Sequence, residues 1–272
     1  MVRLTVPQER PVIAAFLDRH PAKSLRLGAL DWSYYDSGGG GPVVLMLGGG
    51  QGDGSVFFRQ FEAFGGRARL ISPTCPGDPD PAAAVAALVA FLDRLGVERP
   101  HVVGSSLGGY LALALAHQAP ARVDRLLVAS AFADCTAEKA GFPTPEAVQA
   151  LAAETLKAGA LAKLEARAAS AAHVMLNAAL KTAIARQPAD VLKRRTLAIL
   201  AAPPLPPLDL AADRVALLDC EDDPVITPQT RAELRSRFPS SLRVTLALGD
   251  HYPAILAADQ FNALMRRHLA LA

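Results

Sequence analysis

The 272-residue sequence contains only three cysteines, Cys75, Cys135 and Cys220, and they lie far apart along the chain. A sparse, odd-numbered set argues against a disulfide framework, and its spacing does not match the paired cysteines of a zinc site. We therefore expect no structural metal. Because no disulfide framework is expected, we predict that the protein resides in a reducing compartment, the cytoplasm.

The sequence also lacks a strong charge of either sign and any long apolar run. Its formal net charge is +2, so it offers no electrostatic basis for binding nucleic acid or an anionic membrane. No apolar run approaches the roughly 20 residues of a membrane-spanning helix. The short apolar segment at residues 11–17 is flanked by charged residues and lacks the layout of a secretory signal.

What the sequence does contain is an alternation of strand-like and helix-like segments. Residues 24–38 suggest two short strands, and apolar strand patterns follow at residues 42–50, 68–72, 101–104, 125–132, 214–220 and 243–248. Helices are predicted between them. They include one over residues 55–64, one over residues 81–97 with Asp80 as its cap and Pro81 in its first turn, and a final one after Pro253. Strands without polar alternation are typical of burial on both faces. The pattern predicts an α/β fold with a mostly parallel central sheet flanked by helices.

This alternation is interrupted between residues 136 and 213, where only Ala-, Leu- and Lys-rich helical periodicity is found. We interpret this segment as a helical lid or cap inserted into the fold. The core would then comprise residues 1–135 and 214–272.

A candidate nucleophile lies in the segment Gly104-Ser105-Ser106-Leu107-Gly108, which matches the pattern G-x-S-x-G. In this pattern the central serine, here Ser106, occupies a strained turn between a strand and a helix, and the glycines let neighbouring backbone approach. The predicted strand before it and helix after it supply that context. Ser105 takes the variable position, and we expect it to point elsewhere.

A serine nucleophile needs a general base, and His251 is the best placed of the six histidines. It follows the last predicted strand, and reactive groups in open α/β sheets gather at the carboxyl ends of the strands. The other five lie in polar, helical or strand positions that favour a structural or solvated role: His20, His101, His117, His173 and His268.

The acid that orients this histidine is expected at the end of an intervening strand, because hydrolases of this type order the triad serine, acid, histidine. Asp223 lies past the strand at 214–220 and before a predicted helix. Asp134, after the strand at 125–132, is the alternative acid. Three neighbouring carboxylates are less suitable, since one lies within the strand and two resemble solvated loop charges: Asp219, Glu221 and Asp222.

Acyl chemistry also requires hydrogen-bond donors for a developing oxyanion. The backbone N–H of Leu107, which follows the nucleophile, is one candidate donor. The second is expected from the glycine-rich loop after the third strand, with Gly50 favoured and Gly49 or Gln51 as alternatives. The glycines of this loop do not match a dinucleotide fingerprint, and no P-loop lysine follows, so no cofactor is expected.

The glycine-rich loop, Gly104–Gly108, Asp223-Pro224 and Gly249-Asp250-His251 together resemble the α/β-hydrolase superfamily. Within it, the segments "WSYYDSG", "VFFRQ", "SSLGGYLA", "RVDRLLVASAFAD" and "GDHYPAILAADQFN" resemble the maspardin group. The resemblance implies the α/β-hydrolase fold over most of the chain. Maspardins are not convincing catalysts and lack the final-loop histidine, whereas this chain has His251. It also has Gly48-Gly49 where most hydrolases carry His-Gly, a change expected to affect loop packing more than the N–H donors.

The residues therefore predict a serine hydrolase that cleaves a carboxylic ester or thioester through Ser106, His251 and Asp223, with Leu107 and Gly50 at the oxyanion hole. An acyltransferase or cyclase would use the same triad, and a maspardin-like binding protein is a further alternative. The predicted partner is a small, apolar acyl substrate, without nucleic acid, metal or cofactor. The sequence is compatible with a homodimer.

Overall fold

The computed structural model describes residues 10–78, 80–166, 171–208 and 210–271. Its centre is a sheet whose strands run in the spatial order β1-β2-β4-β3-β5-β6-β7-β8. β2 is antiparallel to both of its neighbours, and the pairs from β4 to β8 are parallel. The strands are β1 (Lys23–Leu27), β2 (Leu30–Asp36), β3 (Val43–Leu47), β4 (Arg69–Thr74), β5 (His101–Ser105), β6 (Leu126–Ala129), β7 (Val215–Cys220) and β8 (Leu242–Leu246).

Helices cover both faces of this sheet. They are α1 (Arg10–Arg19), α2 (Phe58–Phe64), α3 (Pro81–Arg94), α4 (Leu107–Gln118), α5 (Thr136–Lys139), α6 (Pro145–Ala150), α7 (Ala153–Ala166), α8 (Ala171–Arg186), α9 (Ala189–Ala201), α10 (Pro228–Arg237), α11 (Pro253–Leu256) and α12 (Ala258–Leu269). The predicted α/β architecture is confirmed, and so is the cap of α3, since the Asp80 carboxylate accepts the N–H of Ala82 at 2.9 Å. Among the described residues, no helix is long and apolar enough to cross a bilayer.

Apolar side chains of β3 alternate between two hydrophobic clusters, one on each face of the sheet. Leu45 and Leu47 belong to the cluster that includes α3 and α4, while Val44 and Met46 belong to the cluster with α2 and α12. A central strand that is buried on both faces needs apolar residues at every position. This is why the sequence of β3 shows no polar alternation.

Several predicted elements have different ends in the structure. The strand predicted over residues 125–132 stops at Ala129, because Ser130 turns the chain with a φ of 43°. The helix predicted from residue 55 begins as a short 3-10 turn over Gly54–Phe57, with the Asp53 carboxylate as its cap. The final predicted helix is divided into α11 and α12. The apolar segment at residues 11–17 lies within α1, which the sequence analysis did not identify.

Five helices, α5 to α9, occupy the described part of the chain between β6 and β7. We refer to residues 136–213 as the helical insertion. Within it α7 packs against α8 and α9, and α6 packs against α9. α8 also contacts α11 and the 3-10 turn that follows β3, so the insertion lies against the sheet edge at which β3 and β8 end.

The turn from β5 into α4 depends on close backbone contacts. A Cβ atom on Gly108 would lie 1.9 Å from the carbonyl oxygen of Leu47, and one on Gly104 would lie 2.4 Å from the carbonyl oxygen of Gly108. Backbone atoms at the centre of a sheet have little room to move, so both positions require glycine. The glycines of the G-x-S-x-G pattern thus bring the start of α4 against the end of β3.

We predict that Gly108→Ala lowers the free energy of unfolding by at least about 2 kcal/mol, because the new methyl group overlaps the Leu47 carbonyl. Gly159→Ala is the matched control, since Gly159 lies in the exposed middle of α7 with open space around its Cα. The control should stabilise the protein by about 0.5–1 kcal/mol through helix propensity. Urea denaturation measures both, and equal midpoints for Gly108→Ala and wild type would contradict the argument.

Candidate active site

Ser106 occupies the sharp turn between β5 and α4. Its φ and ψ are 55° and −124°, a strained conformation for a residue other than glycine. The Ser106 N–H donates to the Ala129 carbonyl at 3.1 Å, and the Tyr110 N–H donates to the Ser106 carbonyl at 3.1 Å. The backbone is held on both sides, while the hydroxyl makes no capping bond to α4. A strained residue fixed in this way at a strand end points to a functional role for its side chain.

The glycine-rich loop after β3 lies directly beside this serine. A Cβ on Gly49 would lie 3.1 Å from the Ser106 Cβ and 3.6 Å from its Oγ. A Cβ on Gly50 would overlap Ile199 of α9 at 2.6 Å. The loop is therefore packed between Ser106 and the helical insertion, and a side chain at Gly49 or Gly50 would have to displace side-chain atoms of these neighbours.

His251 follows β8, and its ring is bound to Asp223, which follows β7. The His251 Nδ1 lies 3.1 Å from Oδ1 and 3.0 Å from Oδ2 of Asp223. The Asp223 side chain is fully buried, and that of His251 is 7% exposed. Because Nδ1 faces a carboxylate, it carries the ring proton in the neutral imidazole, and Nε2 is left as the basic nitrogen.

The Asp223 carboxylate is stabilised in its charged form. Burial alone would raise its pKa, but the hydrogen bond and charge of His251 and the backbone N–H groups of Ile226 and Val225 outweigh it, so the pKa is lowered. The two N–H groups donate to Oδ1 at 3.0 and 2.8 Å. Asp223 is thus an ionised acceptor that fixes the orientation of the imidazole ring.

The neighbouring Asp222 holds the backbone of the loop that carries His251. Its carboxylate accepts the N–H of Gly249 at 3.2 Å and of Asp250 at 2.9 Å. Asp250 has a φ of 52°, and its own carboxylate accepts the N–H of His251 at 2.5 Å. The sequence pattern predicts a solvated charge at Asp222. It is exposed, but it also positions the His251 loop.

Ser106 and His251 border one cavity of about 150 Å³. In the described part of the chain, no hydrogen bond of 3.5 Å or less joins the Ser106 hydroxyl to His251. The remaining lining is largely apolar or glycine: Gly49, Gly50, Gln51, Gly52, Val56, Phe57, Ser105, Phe142, Ile199, Val225, Tyr252, Ala254 and Ile255. Ser105 is among the residues that border the cavity.

The site thus combines a serine on a strained strand-to-helix turn, a glycine-rich loop beside it and a buried His–Asp pair at the same edge of the sheet. A comparison with known families adds to this geometry. Residues 43–264 match the model of the alpha/beta hydrolase family. The chain belongs to this family.

Solved structures show the same fold. The thermophilic esterase from Thermogutta terrifontis superposes on this family member with a TM-score of 0.73 at 19% identity, over 92% of this chain and 98% of that chain. The enol-lactonase from Burkholderia xenovorans gives a TM-score of 0.70 at 17% identity, over 91% and 100%.

Curated relatives are similar over a shorter region. A 2-hydroxy-6-oxononadienedioate/2-hydroxy-6-oxononatrienedioate hydrolase from Paraburkholderia phymatum is 34% identical over 110 residues, which are 35% of this chain and 38% of the relative. A putative carbamate hydrolase from a Caulobacter species is 33% identical over 118 residues, 38% of this chain and 44% of the relative. The chain thus spans less than half of the length of these relatives.

In this alpha/beta hydrolase the alternative acid and two of the other histidines bind partners other than Ser106, His251 and Asp223. The Asp134 carboxylate accepts the N–H and the hydroxyl of Thr136, at 2.8 and 2.6 Å. His173 contacts Asp250 at 3.3 Å, and His268 donates to the Leu126 carbonyl at 3.1 Å. The described residues form no cluster of His, Cys, Asp and Glu side chains that could hold a metal ion.

One residue at the site was missed by the sequence analysis. Arg195 of α9 is 2% exposed and donates to the carbonyl groups of Gly48, Gly49 and Gly52. The signal in the sequence was weak, because adjacent basic residues in a helix usually indicate a solvated face. Its neighbour Arg194 fits that expectation, with its side chain 38% exposed.

The lowered pKa of Asp223 predicts a pH-dependent contribution to stability. The unfolded chain binds more protons than the folded one between the two pKa values, so the free energy of unfolding should fall as the pH is lowered. We expect this fall, between about pH 5 and about pH 3, to be shallower in Asp223→Asn than in wild type.

Urea denaturation across this pH range measures the slope. Asp31→Asn is the control, because Asp31 pairs with Arg26 on the surface, where both side chains are more than half exposed. Identical slopes for wild type and Asp223→Asn would show that the Asp223 carboxylate does not stabilise the folded protein.

Proposed function

We propose that this protein is a serine hydrolase in which Ser106 is the nucleophile, His251 the general base and Asp223 the residue that orients the base. The observation that carries the proposal is the buried His251–Asp223 pair, with hydrogen-bond distances of 3.0 and 3.1 Å, whose histidine borders the same cavity as Ser106. A serine, a base and an orienting acid are the parts required for covalent acyl catalysis.

In this mechanism His251 Nε2 takes the proton of the Ser106 hydroxyl as Oγ forms a bond to the substrate carbonyl carbon. The tetrahedral intermediate collapses, and His251 returns the proton to the leaving group as its bond to that carbon breaks. A water molecule then repeats the two steps on the acyl-enzyme and releases the acid. Asp223 remains ionised and stabilises the imidazolium, consistent with its lowered pKa.

The proposed oxyanion donors are the backbone N–H groups of Leu107 and Gly50. Leu107 is the first residue of α4, whose N-terminus favours nearby negative charge. Gly50 borders the cavity in the loop packed beside Ser106. Donors on two separate backbone segments would hold an oxyanion between them.

The proposed substrate is an uncharged acyl compound, such as a carboxylic ester or thioester. Of the described residues that line the cavity, none is lysine or arginine, and most are apolar. A carboxylate on the substrate would lose its hydration there without gaining a cationic partner. This differs from the dioate named for the Paraburkholderia phymatum relative.

We predict that a fluorophosphonate probe labels Ser106 in the folded protein, and that Ser106→Ala abolishes the labelling. Ser106→Ala and His251→Ala should each lower kcat for p-nitrophenyl butyrate by at least about 10³-fold, because the triad acts as a unit. Ser105→Ala is the matched control and should keep most of the activity. Absent labelling of Ser106 would refute the catalytic proposal and favour the binding protein that the maspardin resemblance implies.

The same assay decides between the two acids. Asp223→Asn should lower kcat by about 10⁴-fold through the wrong imidazole tautomer, whereas Asp134→Asn should change it little. Loss of activity in Asp134→Asn with retention in Asp223→Asn would reverse the assignment.

We also predict that kcat/KM is at least about tenfold higher for p-nitrophenyl butyrate than for the p-nitrophenyl monoester of succinic acid, because burying an unpaired carboxylate is unfavourable. The two acyl groups have the same number of carbon atoms and differ in the terminal charge. Raising the salt concentration controls for long-range electrostatic effects. Faster turnover of the succinyl ester would show that the cavity accepts a charged acyl group.

A further inference from the structure

Arg195 directs a buried cation at the backbone of the glycine-rich loop. Its Nη1 donates to the Gly52 carbonyl at 2.5 Å, and its Nη2 donates to the carbonyls of Gly49 and, at 3.4 Å, of Gly48. In the chain as described, no carboxylate forms an ion pair with it. A guanidinium is buried at high cost unless its donors are used. Here most of them are used to bind one loop.

A second side chain of the helical insertion binds the same loop. The Gln187 Nε2 donates to the Gln51 carbonyl at 2.7 Å, and its Oε1 accepts from Arg195 at 3.4 Å. The carbonyls of residues 48, 49, 51 and 52 therefore all accept hydrogen bonds from the insertion. The orientation of these loop carbonyls is therefore fixed by side chains that lie about 140 residues later in the sequence.

The orientation of one of these carbonyls also determines the orientation of an N–H group. The Gly49 carbonyl and the Gly50 N–H belong to the same peptide unit, and that unit is trans. The two groups therefore point in opposite directions. Because Arg195 binds the carbonyl, it also fixes the direction of the N–H, which lies in the same peptide plane and points the opposite way. A charge-assisted bond to the carbonyl also polarises the amide and strengthens its N–H as a donor.

The backbone of α9 is itself fixed at Arg195. Gly77, in the loop after β4, has a φ of 79°, and a Cβ there would lie 2.6 Å from the Arg195 backbone nitrogen. Gly50 of the glycine-rich loop is also close to α9, since a Cβ there would lie 2.6 Å from Cδ1 of Ile199. α9 is therefore packed between two loops of the core. The helix that carries the Arg195 guanidinium therefore has little freedom to shift relative to the glycine-rich loop.

We propose that Arg195 is a positioning residue that directs and polarises the Gly50 N–H of the oxyanion hole. This proposal rests on the proposed function, because the Gly50 N–H stabilises an oxyanion only if the protein is a serine hydrolase. It follows that the oxyanion hole is complete only while α9 of the insertion is docked on the glycine-rich loop. The insertion then contributes to the oxyanion hole as well as covering the site.

Arg195→Met tests the proposal, with Lys193→Met as the matched control. Lys193 is a cation on the same helix whose Nζ also donates to two backbone carbonyls, those of Gln149 and Leu151, both at 2.7 Å and both within the insertion. For p-nitrophenyl butyrate, Arg195→Met should lower kcat by about 10²-fold with little change in KM, the loss typical of one oxyanion donor. The affinity for a boronic acid that adds to Ser106 should fall by a similar factor. Lys193→Met should change neither quantity.

Hydrogen–deuterium exchange of the peptide that covers residues 44–57 gives a readout that does not depend on turnover. Arg195→Met should increase amide exchange in the loop by at least about tenfold relative to Lys193→Met, since the carbonyl contacts are lost. Arg195→Lys retains a cation near the carbonyls and should be intermediate in both exchange and kcat. It also provides a folded variant if Arg195→Met is unstable.

Unchanged exchange in Arg195→Met would overturn the proposal, and so would faster exchange with unchanged kcat, which would leave Arg195 a purely structural role. A wild-type protein that neither turns over the ester nor labels at Ser106 would overturn the proposed function and with it the catalytic role of Arg195. The exchange comparison would still report whether Arg195 holds the loop, so the two failures are distinguishable.

Discussion

The contact between the start of α4 and the end of β3 is the constraint on which the site depends. Only a glycine at position 108 lets the helix backbone approach the Leu47 carbonyl. Because α4 starts so close to β3, the chain must turn sharply at Ser106 as it leaves β5. The loop after β3 lies so close to this turn that a Cβ on Gly49 would be 3.1 Å from the Ser106 Cβ. The position of the serine and that of its glycine neighbours are therefore set by one backbone contact at the centre of the sheet.

Two adjacent carboxylates in the loop after β7 together position His251. Asp223 is buried and binds the ring, whereas Asp222 is exposed and binds the backbone N–H groups that precede the histidine. Backbone pairing of β7 with β8 continues to the Glu221 N–H and the Leu246 carbonyl, so both loops begin from a common register. The histidine is thus fixed both at its ring and at its main chain, and this limits the geometries available to Nε2.

Much of this arrangement could be predicted from local sequence. The unbroken apolar run of β3 indicated burial on both faces, and the glycines around Ser106 indicated the turn, because each signal comes from a few consecutive residues. His251 and Asp223 were expected at one edge because parallel strands end together. The role of Arg195 could not be predicted, since its partners are backbone carbonyls about 140 residues away and carry no side-chain signal. The early end of β6 was missed for a related reason, because the turn at Ser130 uses a φ that its residue type does not indicate.

The hydrogen bonds from Gln187 and Arg195 to the glycine-rich loop have a consequence for how this chain can change. In many α/β proteins an inserted segment is tolerated because its own contacts are few, and it can be lengthened or exchanged. Here a replacement segment would have to supply donors for the carbonyls of Gly48, Gly49, Gln51 and Gly52, or the loop would need a different sequence. The insertion and the loop after β3 are therefore expected to vary together, as a single unit split across two distant parts of the chain.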